Sequence, residues 1–305
     1  MDQMTVTEPA MQASPFHAGE RQVQHLAGVR EEAETRGRRM LTPGLNPQQA
    51  AFFNQLPFVV YSHADVSGQP WAGLVTGEPG FISVDAQRTG IYLDLRQTHS
   101  PTGLAGAVGD HIGLLGIDLS TRRRNRVNGN VRVADPDHLQ VHIEQGYGNC
   151  PKYISPRDWP GHLFAQAYTR LDSEGLNPRA LALASRTDTF FIATSSGPDD
   201  GDAGTGTSAW GADISHRGGD PGFLRHEDGQ LLFDDFPGNN MFNTLGNLAR
   251  NPKCAVLLLD FDSGDIAQLI ASGRVEPHGD GRRVVLDVRH TRLHSPTGNS
   301  RPPSC

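Results

Sequence analysis

CAVLLLDFD (254–262) passes through a polar turn into LIASGRVE (269–276), and the same plan stands about 140 residues earlier, where HIGLLGIDL (111–119) passes through a polar turn into RVNGNVRV (126–133). Long apolar runs rich in Leu, Ile and Val, closed by turns and followed by alternating stretches, are the signature of paired strands. Further landmarks keep nearly the same spacing. Trp71 stands in WAG and Trp210 in WGA, at an offset of 139, and Pro79-Gly80-Phe81 precedes Pro221-Gly222-Phe223 by 142. Gly129 and Gly273 lie 144 apart. A drift of five residues over three landmarks implies two copies of one β unit in tandem.

Working outward, FVVYSHAD, WAGLVTG, FISVD and IYLDL precede the first copy, while TFFIATSS, SAWGADISH and GFLRHEDGQLLFDD precede the second. All read as short strands between turn clusters. Ahead of them, residues 17–40 place Val23, Leu26, Val29 and Ala33 near helical spacing, which predicts one amphipathic surface helix. A second helix is expected over 46–55, capped by Asn46 with Pro47 in the first turn. In GNNMFNTLGNLARNP (238–252), Phe242, Leu245 and Leu248 recur three apart and Asn251-Pro252 ends a third helix. Residues 101–110 hold its degraded counterpart. The expected organisation is a disordered N-terminus over 1–15, a first unit over 16–155, a helical or irregular connector over 156–185, a second unit over 186–280 and a tail over 281–305. The Gly/Asp stretch 197–208 reads as a loop.

Composition narrows the function. The formal net charge is −7, which argues against nonspecific nucleic-acid binding, so any anion site must be a local basic cluster. There is no unbroken apolar stretch of membrane-spanning length and no signal-peptide pattern, so a cytoplasmic address and no membrane partner are expected. Cys150, Cys254 and Cys305 are too widely spaced for a thiolate metal site, and Cys254 is expected in a core. His138 and His142 share one strand face, a weak metal pattern, and no metal is assigned. Neither a nucleophile elbow nor a phosphate-cradling Gly-rich fingerprint follows a strand.

Two segments carry candidate binding chemistry. ADISHRGGDPGF (212–223) sets Ser215, His216 and Arg217 before Gly218 and Gly219, and an Asn-rich helix start follows at 239–243. Open backbone N–H groups beside a guanidinium make a phosphate seat, because the helix dipole and the donors both favour an anion; a hairpin followed by an ordinary capped helix fits the spacing equally. TRRRNRVNG places Arg124 and Arg126 on the same face of a strand, either as an anion site or as a solvated hairpin. Lys152, beside Tyr153 in NCPKYI, stands either to close over a ligand or in a linker.

In combination, DISHRGG, LLFDDFPGNN, LGNLARNP, CAVLLLDF and AQLIASGRVE resemble the pyridoxamine 5′-phosphate oxidase superfamily of FMN-binding split barrels. FHAGERQVQ and LPFVVYSHADVSGQPWAG resemble a bacterial subgroup of it that sometimes carries a ferredoxin-reductase-like module. The resemblance covers about residues 16–278 and implies a mainly β fold of two split-barrel-like units. It also implies FMN, with FAD as the alternative, held at the contact of two barrels in a homodimer or an internal pseudo-dimer. It places Ser215, His216, Arg217 and Gly218 on the strand that meets the FMN phosphate, Asn239, Asn240 and Asn243 at the phosphate turn, and Gln268 at the flavin ring. Asn stands where the family has Arg and Lys, and the Arg residues flanking the Gln strand are absent, so the vitamin B6 oxidase reaction itself is not expected. A flavin-dependent oxidoreductase of unknown substrate follows, reduced by a nicotinamide nucleotide or a reductase partner. The alternative is a noncatalytic flavin- or haem-binding protein. No catalytic acid or base stands out.

Overall fold

The computed structural model describes residues 14–104, 106–197 and 211–298. Three helices come first. α1 (Ala18–Leu26) starts at His17, whose Nδ1 accepts from Gly19 N–H while Glu20 reaches back to His17 N–H, so two open amides are satisfied reciprocally. The chain then turns at Gly28, with φ of 69°, and starts again as α2 (Arg30–Met40). The single helix expected over 17–40 is therefore two. A left-handed glycine ends a helix at low cost, and Leu26, assigned above to the apolar stripe, is 77% exposed. α3 (Pro47–Asn54) begins at the Asn46 cap as expected.

The first sheet contains β1 (Phe58–Ala64), β2 (Pro70–Gly77), β3 (Ile82–Val84), β4 (Gly90–Asp94), β5 (Thr98–His99), β6 (His111–Asp118), β7 (Arg123–Ala134) and β8 (His138–Gly148). A connector follows with α4 (Gly161–Phe164), β9 (Tyr168–Glu174) and α5 (Pro178–Arg186). The second sheet is built from β10 (Thr189–Ser195), β11 (Ala212–Gly218), β12 (Arg225–Glu227), β13 (Gln230–Asp234), β14 (Lys253–Leu259), β15 (Ile266–His278) and β16 (Gly281–Pro296), with α6 (Asn243–Arg250) between β13 and β14. Two expectations fail here. The connector holds a strand, β9, which pairs with β16, and residues 281–296 form β16 itself, seated between β15 and β13, rather than a tail. Arg, Asp and His interleaved with Val and Leu conceal a strand that is buried only in parts of its length.

The fold is mainly β with short helices, and its two curled eight-stranded sheets are consistent with the split-barrel class. Among the described strands, the first sheet runs β2-β1-β6-β7-β8-β4-β3 with β5 beside β2, and the second runs β11-β10-β14-β15-β16-β13-β12 with β9 beside β16. The order is the same. Both Pro-Gly-Phe motifs lead into the short third strand of their unit, with Gly80 and Gly222 at φ of 103° and 91°. β7 is bulged between Asn128 and Gly129, and β15 between Ile270 and Ala271. Counting from these bulges, Gly129 corresponds to Ala271, so its pairing with Gly273 is two residues out of step. Trp210 and residues 198–208 lie outside the described residues.

Each sheet closes on its own core, around Phe53, Tyr61 and Val141 in the first and around Phe190, Phe233 and Leu269 in the second. A third core joins them, where Val60, Leu74 and Leu115 meet Phe191, Ile214 and Leu257. Burying such side chains is worth about 1.5–3 kcal/mol each, more than an exposed ion pair supplies, so apolar contact holds the sheets together. Gly113 permits it: a Cβ there would stand 2.7 Å from Ala212 O. No helix among the described residues is long and apolar enough to cross a membrane.

Candidate functional site

A cavity of about 560 Å³ opens where the start of β7 in the first unit meets β11, the β13–α6 turn and the start of α6 in the second. That size suits a cofactor. Of the sequence-derived candidates, Arg124, Arg126, Lys152, Ser215, His216, Arg217, Gly218, Asn239, Asn240 and Asn243 all line it. Gln268 does not. Counted from the bulges it is the counterpart of Arg126, and it is buried at the junction of the sheets, where it donates to Ala72 O at 2.7 Å and meets His294 Nε2 at 2.9 Å.

Strand alternation explains how the guanidiniums arrive. Arg122 and Arg123 remain exposed at the turn, while Arg124 and Arg126, two apart, enter the protein on one face of β7. Their surroundings then diverge. Arg126, 4% exposed, is ion-paired with Asp213, which also accepts from Asn128 and Asn247 at 2.6 and 2.8 Å, and its guanidinium lies 5.1 Å from the Tyr147 ring centre. Arg124 is half-buried and has no carboxylate within ion-pair distance among the described residues; its Nη1 meets His216 Nδ1 at 2.7 Å. Burial, then Arg217 and Arg126, push the Arg124 guanidinium down to about 10. Half-buried Arg217 likewise has no ion pair among the described residues, its guanidinium sits 5.8 Å from the Phe233 ring centre, and burial lowers its pKa against the pull of Asp235. The Nε atoms of Arg124 and Arg217 and Nε2 of His216 are buried without a hydrogen-bond partner. Since an unmet buried donor costs about 1–3 kcal/mol, these donors call for an acceptor that the protein itself does not supply.

The helix start adds to them. Phe242, at the α6 N-cap, has no acceptor in its side chain, so the first-turn amides are left without a side-chain cap. Asn240 and Phe242 have φ of 60° and 59°, and Tyr153, across the cavity, has φ of 64°. A bulky side chain in that region stores about 1–3 kcal/mol of strain, which the surrounding structure must impose. The turn is held by α1 and α2: Arg36 Nη1 donates to Asn239 O at 2.8 Å and Gln24 Nε2 to Met241 O at 3.1 Å. At the mouth, Tyr153 stacks on Phe236 at 5.2 Å and its hydroxyl donates to Pro237 O at 3.1 Å. Lys152 is exposed beside it.

Behind the wall lies a polar network that the sequence reading did not anticipate. Asn243 points inward, donating to Glu20 Oε1 at 2.5 Å, and His17 Nε2 meets Asn247 Oδ1 at 2.8 Å. Burial, then Asp213, hold the Glu20 carboxyl well above the usual carboxylate range. These partners meet because α1 crosses α6 glycine on glycine: a Cβ at Gly19 would stand 2.2 Å from Gly246 O, and one at Gly246 would stand 2.6 Å from Glu20 Cα. Glu20 and Asn243 are 223 residues apart. No local pattern announces such a pair, although both glycines lie inside segments quoted above.

No protein-family profile matches the chain, and no curated protein does so. Among solved structures, a variant of HupZ from Group A Streptococcus is similar at 14% identity and a TM-score of 0.28, over 39% of this chain and 99% of that one. The inhibitor of motility from Bacillus subtilis is similar at 8% identity and a TM-score of 0.22, over 76% of this chain and 88% of that one. Neither likeness assigns this chain to a family.

Proposed function

We propose that the cavity binds FMN and that the chain is a pyridoxamine 5′-phosphate oxidase-related, flavin-dependent oxidoreductase. The observation that carries this reading is the pair Arg124 and Arg217, contributed by different units to one cavity, each without a carboxylate within ion-pair distance among the described residues, although Asp235 acts on Arg217 from further off. The donor set fits a phosphate: two guanidiniums with unmet Nε groups, an imidazole nitrogen without a partner and a helix start with no side-chain cap. Arg124 and Arg217 would hold the phosphate, and Tyr153 and Phe236 would exclude water at the mouth; Gly218, expected to admit the ligand, instead makes room for the Tyr153 backbone, since a Cβ there would stand 1.9 Å from Tyr153 O. Bound FMN would supply the hydride or electron chemistry, and the protein its position and electrostatics. A reduced nicotinamide nucleotide or a reductase is the proposed electron source, and the joined units act as an internal pseudo-dimer.

The test is the near-ultraviolet and visible spectrum of the purified protein, followed by a flavin titration. Co-purified or readily bound FMN that bleaches with a reduced nicotinamide supports the enzyme. A flavin or haem spectrum inert to reductants supports the noncatalytic binder. A colourless protein that takes up no flavin refutes both.

A further inference from the structure

His216 is 6% exposed and sits in the cavity wall, its ring edge-on to Phe191 with the centroids 5.7 Å apart. A guanidinium can only donate, so the 2.7 Å contact from Arg124 Nη1 makes His216 Nδ1 an acceptor. The proton of the neutral ring is then on Nε2, which is buried and has no partner. The charged groups that act on the ring are all guanidiniums: Arg124 from β7, Arg217 from its own strand and Arg157 from the connector, the last paired with Asp188. Together with burial they hold the imidazole well below its ordinary pKa.

Building on the reading of this cavity as an anion site, we propose that His216 is its orienting donor: Arg124 fixes the imidazole tautomer, and the resulting Nε2–H donates to the bound ligand. Arg124 then acts twice, once on the ligand as a charge and once through His216. The site selects ligands that present an acceptor at that point, and His216 offers them one hydrogen bond without a positive charge. Substitution of Arg124 should therefore cost more than one contact.

Nitrogen-15 NMR of the full chain, labelled at histidine, reads the tautomer directly. The expected result is a neutral ring protonated on Nε2 at neutral pH, with the Nε2 resonance moving on addition of inorganic phosphate or FMN. Titrations of FMN into parent, His216→Gln and His216→Phe complete the test. Gln keeps a donor near Nε2 and should hold FMN within about twofold of the parent, whereas Phe keeps the bulk without the donor and should weaken it roughly five- to tenfold. A ring protonated on Nδ1, an Nε2 resonance indifferent to both phosphate and FMN, or equal affinities of Gln and Phe variants would overturn the proposal. If the parent binds no FMN, the flavin reading fails by itself, and the tautomer with its response to inorganic phosphate still decides the role of His216.

Discussion

Arg124 and Arg126 lie two residues apart on one strand, and the structure predicts opposite outcomes for the same substitution. Arg126→Gln removes the cation from a buried pair, leaving Asp213 with amide donors alone and the Glu20 carboxyl close by. Breaking a buried ion pair from one side costs about 3–5 kcal/mol, a fall in melting temperature of roughly 6 °C or more for a protein of this size. Arg124→Gln removes a cation that has no carboxylate partner and faces Arg217. Its melting temperature should stay level or rise, while FMN binding loses a charge-assisted contact worth about 1.5–3 kcal/mol, or roughly 10- to 150-fold in affinity, in addition to what is lost through the freed His216 ring. The loss should shrink in high salt, where the remaining charges are screened. The assay is a circular-dichroism melt of each variant beside FMN titrations at low and high salt. An Arg124 variant that melts well below the parent yet binds FMN equally would refute the division of roles, as would an Arg126 variant that melts with the parent.

Gly246→Val should push α1 off α6, because the new Cβ meets Glu20 backbone atoms that cannot yield; a loss of about 1–3 kcal/mol should appear as a lower urea midpoint, and an unchanged midpoint would contradict the crossing. Stability should fall as pH drops below about 6.5, since the unfolded chain takes up a proton there that buried His216 resists; His216→Gln should flatten this acid limb in pH-dependent melts. Glu20 works with the opposite sign: its raised pKa gives stability that is whole below the ordinary glutamate value and lost as pH rises through the folded one, so Glu20→Gln should gain on the parent with increasing pH, and a constant difference across the range would count against it.

The strands with long apolar runs were legible in the sequence because β6 and β14 are buried along almost their whole length. The Asn46 cap and the end of α6 before Asn251-Pro252 were legible too, since both are set by local backbone chemistry. β9 and β16 were not. TRLDSE offers little to bury, and its pairing is decided by β16 more than 110 residues away. In the site, alternation brought Arg124 and Arg126 to one face, but only tertiary contact shows that one is tied to Asp213 and the other to His216. Gln268 occupies the matching place in the other half, and no spacing rule reveals that its neighbours fill the space around it.

That matching place has a wider consequence. Counted from the bulges, Ile266 and Gln268 stand where the first unit has Arg124 and Arg126, and His294, opposite Ile266, stands where Asn149 meets Arg124. Two identical subunits related by a twofold axis must repeat every side chain, so a substitution that favours one site is imposed on the other. Joining both halves in one polypeptide lifts that constraint. Here one junction carries guanidiniums around an opening while the matching place is apolar and amide-lined packing. The chain should accordingly take up one ligand where a symmetric pair of such units takes up two.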